Sequence, residues 1–231
     1  MEEIESIKKL LIDTGLNNRP GSLLYSANHT LKKGDWYFLG SNPGGSSNQF
    51  ENPEEDTIEN HLLRKNENFN EFSEGIWFAR GKPQPPGLHT HQKRIKQLFA
   101  DLPPDLKTVC SSNISFVRTV DEDSYDNNLR KVDEELCWQV HKFILSLVKP
   151  RFVICNGKRA NDFFKNKMIV NEYCEIELKP NPQRKICTLN VGAIEADKLK
   201  LEKVFLFSVP HLSRFSYFPR SSEWIKEKIK S

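Results

Sequence analysis

No apolar run in the 231-residue sequence approaches the ~20 residues a helix needs to cross a bilayer. The amino-terminal stretch MEEIESIKKLLIDTG is acidic before it is amphipathic, so it lacks the basic start and apolar core of a secretory signal. The five cysteines, Cys110, Cys137, Cys155, Cys174 and Cys187, are scattered, with no Cys-x-x-Cys pair among them. An odd, unspaced set without an export signal reads as reduced thiols in an intracellular protein. The same pattern argues against a structural metal or an iron–sulfur cluster, which hold some ligands at close spacing. Cys110 and Cys155 fall inside predicted strands, where a small buried hydrophobe is the simpler account. Charge of one sign is scarce too: the formal net charge is only +3. Composition therefore permits a nucleic-acid partner only if positive charge gathers on one face. Neither the Gly-x-Lys-Ser/Thr ending of a P-loop nor a dinucleotide fingerprint occurs.

The length suits one large domain over residues 1–231, and the hydrophobic fraction of 37% implies a broad polar surface with long polar loops. Four short apolar runs rich in β-branched and aromatic residues predict strands at Trp36–Leu39, Thr108–Ile114, Phe152–Cys155 and Val204–Val209. Helical periodicity lies between them. His91–Leu102 sets Ile95, Leu98 and Phe99 on one face, Asp133–Val148 does the same with Leu136, Val140, Phe143, Ile144 and Leu147, and a third helix spans about 158–167. Alternating strands and helices predict an α/β fold, a three-layer α/β/α sandwich around a central, mainly parallel, four-stranded sheet. Tyr173–Leu178 and Lys185–Val191, separated by a Pro/Asn turn, predict an antiparallel pair on the sheet edge. The stretch at about 45–74 is polar and weakly periodic, and reads as a long surface insertion.

Chemistry-bearing residues collect where the strands end. The first strand runs into Gly40-Ser41-Asn42-Pro43-Gly44-Gly45, the second ends on Ser111-Ser112-Asn113, the third on Asn156-Gly157-Lys158, and the fourth on Pro210-His211-Leu212-Ser213-Arg214. In a parallel sheet such turns converge on one cleft beyond the carboxyl ends of the strands. Glycines there let a ligand approach the backbone closely.

These turns, in this order, resemble the motifs of the uracil-DNA glycosylase superfamily, and the resemblance runs from Trp36 to about Phe218. Gly40-Ser41-Asn42-Pro43-Gly44 matches that family's first motif, and Gly75-Ile76-Trp77-Phe78 its Gly-x-x-Phe element. Lys82-Pro83-Gln84-Pro85-Pro86 with the following helix matches its proline-rich loop. Asn113 stands where an asparagine reads the base edge, and His211-Leu212-Ser213-Arg214-Phe215 matches the last motif, His-Pro-Ser-x-x. Each piece is short, but five in the right order are specific.

The resemblance implies a monofunctional DNA N-glycosylase that needs no metal or cofactor. It would act as a monomer on DNA, away from membranes, and in the cytoplasm or nucleoid if the source is bacterial. Phe78 would stack on an extruded base and Asn113 would read its edge, with Gly40 and Ser41 lining the pocket. His211 would stabilise negative charge on the departing base. One branch carries an Asp in the first motif to activate water; Asn42 matches the mismatch-specific and single-strand-selective branches instead. An amide is no base, so Asn42 would orient the water, which suffices if bond breaking runs far ahead of attack. DNA contacts would come from Ser46, Ser47, Pro85, Pro86, Gly157, Lys158 and Ser213, with Arg214 or Phe215 as the wedge that holds the gap left by the base; ordinary packing remains the alternative for Phe215.

Three departures qualify the match. Leu212 replaces the usual proline, the insertion after the first motif is long, and the clustered cysteines of the iron–sulfur branches are missing. Uracil or a related damaged pyrimidine is the leading substrate expectation. The long insertion motivates a second: a bulky modified base, such as glucosylated hydroxymethylcytosine, removed in defence against phage. An inert DNA- or nucleobase-binding protein is the expectation from another class.

Overall fold

A computed structural model describes residues 2–45, 52–64, 69–79, 81–119, 126–178 and 186–230. In chain order its strands are β1 (Trp36–Gly40), β2 (Phe78–Ala79), β3 (Lys82–Pro83), β4 (Cys110–Asn113), β5 (Phe152–Asn156), β6 (Ile169–Glu177), β7 (Ile186–Ala196) and β8 (Leu199–Val209). Its helices are α1 (Glu2–Asp13), α2 (Ile58–Arg64), α3 (Glu71–Glu74), α4 (Thr90–Ala100), α5 (Asn127–Val148), α6 (Lys158–Lys165) and α7 (Pro219–Lys228). None of the described helices is long and apolar enough to cross a membrane.

The fold is α/β, but the sheet has six strands rather than four, in the order β4-β1-β5-β8-β7-β6. The four predicted strands form its parallel part, β4-β1-β5-β8. The expected antiparallel edge pair is β6 with β7, and β7 also pairs antiparallel with β8, which fuses the pair to the sheet. The shortfall of two has a local cause. Val204–Val209 is only the more continuously apolar end of β8, whose other half, Leu199–Lys203, alternates buried Leu with exposed Lys and Glu. That half turns back through Asp197 and Lys198, with Asp197 left-handed at φ 53°, as a two-residue hairpin demands.

Alternation along the strands sends side chains to two separate apolar clusters. Tyr37, Leu39, Val153, Cys155, Val204 and Leu206 join one cluster with α1, α2, α5 and α6. Phe38, Phe152, Ile154, Phe207 and Val209 join the other with α3, α4 and α7. Helices therefore cover both faces. At about 25 cal/mol per Å² of apolar surface, these clusters are the main stabilising term. Burial pushes the thiols of Cys110, Cys137 and Cys187 up to about 12, as inert core residues.

Helix α5 begins six residues before its predicted start. Asp126 caps it by accepting from the backbone N–H of Asn128 and Leu129, at 2.8 and 3.0 Å. Its first turns expose Leu129 and Val132, so no inward apolar rhythm announced them. The described part of the insertion is less superficial than its polarity suggests. Ile58 and Leu62, one helical turn apart on α2, are fully buried in the core, and Phe72 of α3 is buried as well.

Chain order explains where a ligand would sit. From β1 the chain crosses to β4 on one side, then passes back over β1 to β5 on the other. The connection that leaves β1 and the one that leaves β4 therefore run in opposite directions across the sheet, which opens a crevice at the carboxyl ends of these strands.

Candidate functional site

A cavity of about 310 Å³ occupies that crevice, and Gly40, Asn42, Phe78 and Asn113 all line it. The register pairs Gly40 with Asn113 across β1 and β4. A Cβ at residue 40 would lie 2.1 Å from Asn113 Oδ1, so glycine is what lets the amide lie against β1. Asn113 is buried and its Nδ2 has no hydrogen-bond partner. A buried donor left unsatisfied carries a cost of about 1–3 kcal/mol, which an acceptor in the cavity would relieve. From behind, His141 Nε2 lies 2.9 Å from the Asn113 carbonyl oxygen. That oxygen can only accept, so Nε2 carries the proton and Nδ1 accepts from the Tyr37 hydroxyl at 3.0 Å. Burial pushes His141 down to about 4, so it is neutral at pH 7.

Asn42 is fixed just as firmly. Its Nδ2 donates to Thr119 Oγ1 at 2.6 Å and to the Pro43 carbonyl at 3.0 Å. The Pro43 oxygen is an acceptor, which settles the end of the amide that faces it and leaves Oδ1 to accept from water or ligand. The segment after β4 holds this loop in place: Thr119 N donates to Pro43 O, and Arg118 Nη1 donates to Gly44 O at 2.8 Å. Arg118 also grips Asp56 in a bidentate pair at 2.8 and 3.0 Å, and His61 Nε2 meets the same carboxylate at 2.7 Å. The Asp56 side chain is fully buried, while Arg118 and His61 both line the cavity. The insertion thus supplies one wall of the site.

An aromatic wall stands opposite. The Trp77 ring lies 6.0 Å from Tyr25, 5.9 Å from Phe72, 5.7 Å from His89 and 5.6 Å from His91, centroid to centroid. Its Nε1 donates to Glu71 at 3.2 Å. Burial pushes the Tyr25 phenol up to about 12, so it stays protonated. Helix α4 places the two histidines at its amino terminus. His89 is the N-cap: its Nδ1 accepts from His91 N at 3.2 Å, while Gln92 Oε1 accepts from His89 N at 3.0 Å, closing a capping box.

His91 has a defined tautomer. Leu212 N donates to Asn156 Oδ1 at 2.8 Å, so the other end of that amide is its nitrogen, 2.8 Å from His91 Nε2. His91 Nε2 therefore accepts, and the ring proton sits on Nδ1. Burial, then the charges of His211, His89 and Arg94, push His91 down to about 3.

His211 lies behind this cavity. Its ring is 5.5 Å from that of His91, and it lines a larger, open groove of about 1030 Å³ together with Ser41, Gly157, Lys158, Arg214 and Phe215. Gly157 adopts φ 105°, and a Cβ there would lie 2.7 Å from the His211 ring, so glycine is required twice over. Ser213 N donates to His211 Nδ1 at 3.3 Å and Ser213 Oγ lies 2.6 Å from the same atom, which leaves the proton of the neutral ring on Nε2. Arg94 pins this turn by donating to the carbonyls of Leu212 and Ser213. Cavity and groove meet where Ser41 adjoins Asn42, Asn156 adjoins Gly157, and His91 adjoins His211. Ser41 Oγ is buried without a partner. Lys158 pairs with Asp162 one turn along α6.

Of the remaining expected contacts, Pro85 and Pro86 are exposed on the loop before α4 and line neither space. Ser46 and Ser47 lie outside the described residues. Among the described residues no group of three His, Cys, Asp or Glu side chains is disposed to hold a metal ion. No protein-family model matches the sequence, and no curated protein matches it.

Sequence reasoning did not single out Tyr25, Asp56, His61, His91 and Arg118. For His91 a signal existed in His89-Thr90-His91, which directly follows the proline-rich loop at the predicted start of a helix. The Asp56–Arg118 pair joins residues 62 positions apart, and no local pattern announces it.

Proposed function

We propose that the protein is a DNA N-glycosylase that receives an extruded base in the 310 Å³ cavity and hydrolyses its bond to deoxyribose. The observation that carries this reading is that Asn42, Phe78 and Asn113, widely separated in sequence, line one cavity beside an unpartnered Asn113 amide nitrogen. The reading takes the α/β/α layering of the superfamily as its fold and DNA as its partner, bound by a monomer inside the cell.

In this scheme the bond between the sugar C1′ and the base nitrogen breaks, and its electron pair leaves with the base. Phe78 and Trp77 offer aromatic surface to the extruded ring. Asn113 Nδ2 donates to an acceptor on its edge. His211, with the proton on Nε2, supplies a further donor from the adjoining turn, where negative charge develops on the leaving group. Asn42 Oδ1 accepts from a water that adds to C1′, and the released proton passes to solvent. Because an amide cannot take that proton, bond breaking must lead and attack must follow. The groove beside His211 carries the flanking strand, with Gly157, Lys158, Ser213 and Arg214 near phosphates and Phe215 or Arg214 as the wedge.

Cavity size favours a second version of the same chemistry. About 300 Å³ is where pockets for drug-sized ligands begin, and a single pyrimidine is much smaller than such ligands. A base carrying a bulky polar substituent, glucosylated hydroxymethylcytosine among them, also suits the polar lining of Asn42, His61, Arg118 and Glu71. The test is an abasic-site assay on single- and double-stranded oligonucleotides containing uracil or the glucosylated base. Alkali-labile strands with either substrate support the reading, and intact strands with both refute it.

A further inference from the structure

We propose that His91 is a second catalytic donor to the departing base, through Nδ1–H. The proposal rests on the glycosylase reading of the cavity and adds a residue to it. His91 lines the cavity together with Asn42, Phe78 and Asn113, whereas His211 lines the groove behind. Its orientation is set by a chain of hydrogen bonds with only one polarity. Leu212 N–H donates to Asn156 Oδ1, and Asn156 Nδ2 donates to His91 Nε2. The ring proton is left on Nδ1, for which no described residue is an acceptor. The ring is held from its sides by Trp77 at 5.6 Å and His211 at 5.5 Å.

A neutral imidazole suits this task. Burial holds the ring uncharged, so no cation has to be desolvated when the base enters. A neutral ring gives up its Nδ1 proton only with difficulty, so the proton remains on His91 and the bond is a hydrogen bond throughout. The base leaves as an anion with the electron pair of the broken C1′–N bond, and it is protonated later by solvent. Donation is worth most when that negative charge is fully developed, which stabilises the transition state over the bound substrate.

Asn113 Nδ2 is the other donor without a partner in the same cavity. Two such donors suit a heterocycle that presents acceptors, such as ring carbonyl oxygens, to both. Uracil offers two carbonyl oxygens for this, and a cytosine derivative offers its O2 and N3.

Two variants separate this role from a structural one. His91→Phe keeps an aromatic ring between Trp77 and His211 and removes the donor; His91→Asn restores an N–H near the position of Nδ1. Single-turnover rates are measured on oligonucleotides containing uracil or 5-fluorouracil, whose anion is the better leaving group. His91→Phe should slow uracil release by on the order of 10²–10³ and 5-fluorouracil release by clearly less, with His91→Asn recovering part of the loss. Equal slowing on both bases, or none, overturns the proposal. If the parent protein releases neither base, the uracil version of the glycosylase reading fails, and a binding measurement still decides the donor. Nitrogen-15 spectra of the histidine rings should show His91 protonated on Nδ1, with that signal moving when free uracil is added. A signal that stays in place overturns the proposal regardless of turnover.

Discussion

Asn113 rests its amide against the Cα of Gly40, so closely that a Cβ there would lie 2.1 Å from Oδ1. Parallel register puts the two residues side by side at the carboxyl ends of β1 and β4. Gly40→Ala therefore acts on the site through the Asn113 side chain. That side chain must swing away, while the buried strand around it can stay. Melting temperature should change little, and base release should fall about 10–100-fold, the cost of one misplaced buried hydrogen bond. A melting curve and a single-turnover assay on the same sample check both halves.

Asn42→Asp separates an oriented amide from a missing base. A carboxylate would be the better base, but one of its oxygens would face the Pro43 carbonyl, which now accepts from Nδ2 at 3.0 Å. Two acceptors at that distance repel. The expected result is a rate lower by about tenfold or more, the loss of one hydrogen bond with added repulsion, rather than a gain. Single-turnover kinetics at pH 7 and above, where the carboxylate is ionised, measure it.

Asp56 has a structural weight that its polar neighbourhood conceals. Its buried carboxylate holds Arg118 through two hydrogen bonds and His61 through a third. Asp56→Ala removes a buried carboxylate from a guanidinium that is only 10% exposed. The expected loss is about 3–5 kcal/mol of stability, read as a lower urea midpoint. Loss of the Arg118 hold on Gly44 should also loosen the Asn42 loop.

Acid should weaken the fold through His141. Its folded value, about 4, lies below the ordinary histidine value of 6.5, because burial disfavours the cation. The unfolded chain therefore binds the proton more readily, and the stabilisation present above pH 6.5 is lost as pH falls toward 4. From pH 7.5 to pH 5 the loss from this group is ~2 kcal/mol. His141→Gln, which can still donate to the Asn113 carbonyl, should flatten that dependence. Urea midpoints at the two pH values, for parent and variant, supply the check.

How much of this could be read from sequence depended on the distance over which each signal acts. Trp36–Leu39 and Phe152–Cys155 announced themselves as strands because apolar β-formers ended at glycine or polar turns, and both appear within one residue of the expected bounds. The far half of β8 was missed because Leu199, Lys200, Leu201 and Glu202 alternate too sparsely to resemble a core strand. The insertion looked superficial because Ile58 and Leu62 sit among Glu and Asn, although their spacing of four sends both into the core. Asn42, Phe78 and Asn113 could be named from short motifs. The wall formed by Tyr25, Arg118, Asp56 and His61 could not, since it is assembled by contacts between distant segments.

The central claim is that the cavity and its neighbouring turn break a glycosidic bond, and the most direct test weighs both products. Parent protein, Asn42→Ala and His211→Ala are incubated with oligonucleotides bearing uracil or glucosylated hydroxymethylcytosine, and free base and strand are followed by mass spectrometry. The account predicts one free base per abasic strand from the parent protein. It also predicts rates lower by on the order of 10²–10³ in either variant, with DNA binding retained. A parent protein that binds these oligonucleotides and releases no base would contradict it, and would leave a nucleobase-binding protein in place of an enzyme.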